Sequence, residues 1–195
     1  MNGLLEKLNE YNSIVNFRLS YELNNNQTLD IKIRKQGFPH LIGLHKLVDI
    51  PIIRQFNDPA NPVVSAKFLI SKIRKESLLT EDIVKASKYY SLIETRYETF
   101  NKTNLLNTSY TDVIINFDSS VIGSSLLSDF ILFDELNNGY THLCIAKDSS
   151  GTRYLESFFY EKTNKYILNQ KLEKIKKIKI YDSTGDIFFE DELIK

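Results

Sequence analysis

Two of the three histidines in the chain, His40 and His45, stand five positions apart in "QGFPHLIGLHKL", among neighbours that are almost all apolar. Imidazole titrates close to neutral pH, so general acid or base work is the chemistry these residues offer. A metal site is not expected, because that spacing does not put two side chains on one helical face and no nearby carboxylate or thiol completes a ligand set. A structural role stands beside the chemical one. His40 would cap or fix the start of a helix, and His45 would lie at its end, where positive charge suits the dipole.

Three further groups extend the candidate list. In "RYETF", Tyr97 falls on an apolar stripe, while its neighbour Arg96 could reach a phosphate from the edge of that stripe. In "RYLESFFY", strand alternation puts Arg153, Leu155, Ser157 and Phe159 on one face and Tyr154, Glu156, Phe158 and Tyr160 on the other. Arg153 and Ser157 would then form a donor pair for a phosphate, separated from Glu156, which reads as an ordinary surface charge. In "KLEKIKKIKIY", Lys177 and Lys179 lie opposite Ile178 and Ile180. They fit either an edge strand protected from aggregation or the phosphate-contacting rim of an RNA groove, to which Lys147 and Tyr97 would add contacts.

Composition limits what these residues can serve. The chain has 195 residues, 42% hydrophobic and 26% charged, which suits one globular α+β domain over residues 1–195 with no clear internal boundary. Formal net charge is zero, so no global basic field announces a nucleic-acid partner. The single cysteine, Cys144, excludes an internal disulfide and reads as a buried strand residue. No apolar run approaches the roughly 20 residues that cross a bilayer, and the N-terminus lacks a signal-peptide pattern, so a cytoplasmic setting without a membrane is expected. There is no Gly-rich phosphate loop, which argues against a P-loop or dinucleotide fold.

The elements that must position the candidates follow from periodicity. Leu4, Leu5 and Leu8 predict an N-terminal helix, and alternation from Val15 to Leu23 and from Leu29 to Ile33 predicts a β-hairpin across "NNNQT". Pro51, Pro59 and Pro62 restrict the helices that follow. Asn61 and Pro62 suit the start of a helix through "VVSAKFLISKIRK". Thr80, Glu81 and Asp82 open a helix whose stripe of Ile83, Ala86, Tyr90, Ile93, Tyr97 and Phe100 predicts one continuous element to about Leu105. From Thr111 onward, β segments separated by "NNG", "DSSG" and "DSTG" predict an antiparallel meander. The fold class expected is therefore an N-terminal helix and hairpin, central helices, and a C-terminal antiparallel sheet of about four strands packed on the helices.

The segments "FPHLIGLHKL", "RYETF" and "ESFFYEKTNKYILNQKLEKIKKI" together resemble the fourth phage-associated family of the Barnase, EndoU, colicin E5/D and RelE-like nuclease superfamily. The resemblance places Phe38, His40, Leu41 and Gly43 on one motif and Glu156, Ser157, Phe158 and Phe159 on another. It implies helices on a four-stranded antiparallel sheet and RNA cleavage without metal or other cofactor, by attack of a ribose 2′-hydroxyl on the adjacent phosphate. His40 would then be base or acid, His45 a second proton carrier, Arg96 or Arg153 the charge stabiliser and Ser157 a donor to phosphate. A phage or other mobile element would be the source, and toxin-like behaviour the setting. The competing class is a non-catalytic domain that binds a protein, either a host target or a cognate inhibitor, and the oligomeric state is left open. Exposure discriminates the two: histidines lining a basic groove with Ser157 or Arg153 favour a nuclease, whereas a surface patch of Tyr89, Tyr110, Tyr160 and Tyr166 over sealed histidines favours binding.

Overall fold

Apolar alternation around Tyr21 and Ile31 folds as the expected hairpin. In it β1 (Arg18–Leu23) pairs antiparallel with β2 (Thr28–Lys32), Leu19 facing Ile31 and Tyr21 facing Leu29. The structure is a computed structural model that describes residues 3–193 apart from 59, 61–63, 124, 125, 127 and 137. Six more strands follow: β3 (Asp112–Ile115), β4 (Phe130–Leu136), β5 (Gly139–Lys147), β6 (Arg153–Glu161), β7 (Leu172–Tyr181) and β8 (Ile187–Glu192). Strands β4, β5 and β6 form an antiparallel meander, as expected. The β5–β6 turn is held by the Asp148 carboxylate, which accepts from the backbone amides of Ser150 and Thr152, while Gly151 takes a φ of +81°.

The sheet differs from the expected α+β arrangement of helices on about four C-terminal strands. β2 pairs in parallel with β6, and β1 pairs antiparallel with β7. The order β1-β2-β6-β5-β4-β3-β7 therefore closes on itself as a seven-stranded barrel, with β8 added along β7. Closure has a physical cause: an isolated hairpin exposes two rows of unpaired backbone groups, and here both edges are satisfied by strands more than a hundred residues later in the chain. Pairings so distant leave no trace in local periodicity.

Both faces of part of this wall are buried. Leu19, Tyr21, Ile31, Leu143, Leu155, Phe158 and Ile178 belong to the main core. On the opposite face of β3, β4 and β5, Ile114, Ile131 and Cys144 form a second cluster, covered by Phe117, Phe133, Phe159 and Ile167. This is why "DVIINF" and "FILF" read as continuous apolar runs rather than alternating ones. Burial pushes the Cys144 thiol up to about 12, as suits an inert packed residue.

The helices are shorter than periodicity suggests. α1 (Gly3–Ser13) buries Leu4, Leu8 and Tyr11, and is followed by α2 (Phe38–Leu41), α3 (Pro51–Phe56, with Pro51 in its first turn) and α4 (Ala66–Arg74). Ser65 caps α4 by accepting from the Phe68 amide. Pro59, Asn61, Pro62 and Asn137, singled out from sequence, lie outside the described residues. The single helix expected from Thr80 to Leu105 is instead three: α5 (Glu81–Lys85), α6 (Glu94–Thr99) and α7 (Lys102–Leu105). Thr80 caps the first of them, as predicted. Asp49 ends it, its carboxylate accepting from the Ser87 hydroxyl at 2.6 Å and from the Lys88 amide at 3.0 Å, which competes with helical hydrogen bonding. α2 and α6 both pack against β6, and between them they position the site.

Candidate active site

Gly43 determines how the histidine stretch folds. Pro39 stands in the first turn of α2, Leu41 and Ile42 are buried, and Gly43 then adopts a φ of +90° that reverses the chain into a short 3₁₀ turn over Leu44–Lys46. The reversal brings the two imidazoles together, with ring centroids 5.2 Å apart, and the Phe56 ring lies 5.1 Å from that of His40. Two side chains tie the turn down: Arg96 donates to the His40 carbonyl at 3.4 Å, and Asn57 donates to the His45 carbonyl. A Cβ at Gly43 would meet Arg96 Cδ and Ile93 Cγ2 at 2.9 Å, so this close approach also locks α6 against α2.

The opposite wall is made by an irregularity in β6. Cys144 pairs with Ser157 but Ile145 pairs with Leu155, so Glu156 is an extra residue in the strand, a β-bulge. The bulge resets the alternation: Leu155 and Phe158, three apart, are both buried, while Glu156, Ser157 and Phe159 remain accessible. The grouping read from strict alternation is thereby reversed. Glu156 joins Ser157, and Arg153 leaves it, its guanidinium lying instead 5.3 Å from the Phe130 ring centroid. An apolar spacing of three inside a strand was the signal in the sequence that could have revealed this.

His40, His45, Lys46, Arg96, Glu156 and Ser157 line one cavity of about 520 Å³, whose aromatic wall is Phe159, Tyr160 and Tyr166. His142, the third histidine, supports that wall from beneath: it is fully buried and stacks on Phe159 at 4.7 Å with the rings 9° from parallel. Of the sequence candidates, His40, His45, Arg96 and Ser157 thus converge, and Glu156 joins them. The others do not. Lys147 pairs with Asp129 at 3.2 Å, Lys177 with Glu190 at 2.7 Å and Glu192 at 3.0 Å, and Lys179 with Glu190 at 3.4 Å. Tyr97 is fully buried.

Electrostatics differentiate the converging groups. His40 stays exposed, but the protein against one side of its ring partly desolvates it and holds the imidazole below its ordinary 6.5. His45 is drawn down to about 3, first by burial and then by the positive charges of His40, Arg96 and Lys46. Burial raises the Glu156 carboxyl above its ordinary 4.5, against the pull of the Ser128 hydroxyl that donates to it at 3.3 Å. Burial also brings Arg96 down to about 10, which leaves the guanidinium charged at neutral pH. The cavity therefore combines a neutral proton acceptor, a carboxyl that retains its proton more readily than usual, a fixed cation and a hydroxyl.

Among the described residues no helix is long and apolar enough to cross a membrane, and no three of His, Cys, Asp and Glu gather as a metal-holding group. No curated protein and no solved structure is a significant match to the chain. A family model does match, over residues 4–189. It is described as phage-Barnase-EndoU-ColicinE5/D-RelE like nuclease4, and with nearly the whole chain matched, the protein belongs to this family of phage-type nucleases.

Proposed function

We propose that the protein is a metal-independent endoribonuclease that cleaves RNA by transesterification, with His40 as base and Glu156 as acid. The observation that carries this reading is the convergence of His40, Arg96, Glu156 and Ser157 on one open cavity in a chain of a nuclease family. The neutral His40 imidazole takes the proton of a ribose 2′-hydroxyl, and the 2′-oxygen bonds to the adjacent phosphorus. The bond from phosphorus to the 5′-oxygen breaks, and that oxygen takes the Glu156 proton, leaving a 2′,3′-cyclic phosphate and a free 5′-hydroxyl. Arg96 and Ser157 stabilise the charge that builds on the phosphoryl oxygens. His45, held neutral, positions His40 by ring packing, and Phe159 and Tyr166 offer faces for a base to stack on.

The tyrosines support the nuclease reading over a purely protein-binding one. Tyr110 is fully buried, and Tyr160 and Tyr166 line the same cavity as His40 and His45 rather than a separate surface patch. Steady-state cleavage of an RNA oligonucleotide tests the assignment, with folding checked by circular dichroism. His40→Ala and Glu156→Gln should each lower kcat/KM by about 10²–10⁴-fold. A substrate with a sulfur leaving atom at the 5′ position needs no acid, so it should restore Glu156→Gln and not His40→Ala. Unchanged cleavage by folded His40→Ala would overturn the proposal. The wild-type pH profile should be a bell with its optimum on the acid side of neutrality, since the His40 limb lies below 6.5 and the Glu156 limb above 4.5.

A further inference from the structure

The catalytic cavity does not end at His40. That residue and Glu156 also line a neighbouring cavity of about 240 Å³, which reaches Arg34 and Gln36. Arg34 and Gln36 in turn line a cavity of about 740 Å³, and that one shares Lys35 and Gln36 with a fourth of about 430 Å³. Shared lining residues set these cavities in a row, a furrow from the site, across the turn before α2, to the exposed end of α4. The furrow becomes more positive along its length. At the catalytic end Glu156 and Glu161 stand against Lys46 and Arg96, whereas the far cavity is lined by Lys35, Lys67, Arg74 and Lys75 with, among the described residues, no carboxylate.

In a chain whose formal charge is zero, these cations differ from Lys147, Lys174, Lys177 and Lys179, which sit beside carboxylates. Among the described residues, Lys35, Lys67 and Lys75 make no ion pair, and Arg74 reaches only the neutral Asn12 amide oxygen, at 3.4 Å. All four are exposed. In the intervening stretch, one oxygen of the Asp182 carboxylate, Oδ1, is taken up by its own turn, accepting from the amides of Thr184, Gly185 and Asp186. At the neck the Arg34 guanidinium lies 3.9 Å from the Tyr154 ring centroid and is held there by Asp148, a flat surface fixed before any ligand arrives.

We propose that this furrow binds the strand flanking the cleavage point: single-stranded RNA leaves the catalytic cavity past Arg34 and Tyr154 and rests its phosphates on Lys35, Lys67, Arg74 and Lys75. The inference rests on the ribonuclease reading of the cavity. Unpaired cations spaced along a groove bind a polyanion by releasing its counterions, whereas cations already paired with carboxylates gain little. A dinucleotide fills only the cavity, so affinity grows with strand length until the far cations are reached.

The test uses the whole protein and a fluorescein-labelled 2′-O-methyl oligonucleotide of about ten residues, a length within the usual range for single-strand sites, which cannot be cleaved. Fluorescence anisotropy across a salt series is compared for wild type and for the exposed combination Lys35→Ala, Lys67→Ala, Arg74→Ala and Lys75→Ala. The expected result is a loss of affinity of about tenfold or more at low salt, with the salt slope falling by about 0.7 for each phosphate contact removed. Unchanged affinity and slope in the folded variant would overturn the furrow, as would equal affinity of the wild type for the dinucleotide and the oligonucleotide. Cleavage of the matching RNA is measured separately, so failure of the ribonuclease reading appears as binding without cutting.

Discussion

Two walls of the barrel carry similar residues to opposite effect. On the β7–β8 wall, Lys177 and Lys179 face Glu190 and Glu192 across paired strands, and the charges cancel within ordinary ion-pair distances. Where α2 and α6 pack on the β5–β6 wall, Glu156 has a serine hydroxyl for company, Arg96 has a carbonyl, and two histidines are held neutral. Residue type therefore says little about chemical capacity. Capacity follows from whether a charged or titratable group has been given a partner that satisfies it, because an unsatisfied group keeps its affinity for a proton or a phosphate.

Acid separates the two walls most sharply. His142 is fully buried and drawn from 6.5 down to about 4 by burial, against the opposing pulls of the Tyr140 backbone and Glu161. A histidine whose folded value lies below its unfolded one contributes stability that is complete above about pH 6.5 and is lost as pH falls toward the folded value. The full difference for His142 corresponds to about 3 kcal/mol. Urea denaturation at pH 7.5 and pH 4.5 should show a loss in wild type that His142 and the still lower His45 share, and His142→Leu should remove the His142 part, about 2–3 kcal/mol. An equal loss in the variant would place the acid sensitivity at groups other than His142.

Gly43→Ala probes the same wall by geometry instead of charge. A methyl group there meets Arg96 and Ile93 at 2.9 Å, and the +90° φ is unfavourable for any L side chain. Chemical denaturation should register a cost of about 1–3 kcal/mol. RNA cleavage should fall further than stability explains, because Arg96 is displaced. The smallest effect belongs to the compensated wall. Replacing Lys177 and Lys179 together with Ala should change RNA affinity by less than about twofold, since both lysines already have carboxylate partners. A larger loss would break the contrast between the walls.

Legibility in the sequence followed the range of the interactions. The hairpin was readable because Leu19, Tyr21, Leu29 and Ile31 alternate on a two-residue period and their partners lie a few residues away. The Thr80 cap was readable for the same reason. The break that follows it was not, because it depends on Asp49, nearly forty residues earlier. His40, His45, Arg96 and Ser157 could be named from their chemistry, and Glu156 could not, because its role turns on one extra residue in β6 that shifts the strand's phase. Lys177 and Lys179 looked available in isolation, since nothing local announces the glutamates that β8 brings beside them.

The sequence by itself determined the hairpin, the antiparallel meander, the Thr80 cap and the short list of groups able to carry protons or hold a phosphate. All of these depend on backbone preferences and side-chain periods that act over a few residues. Tertiary structure alone decided that the sheet closes, which candidates meet in one cavity, and which charges remain uncompensated. Those outcomes depend on pairing and burial between segments as distant as Ile31 and Arg153, or His40 and Glu156, and only the closed barrel fixes the environment that sets their proton affinities.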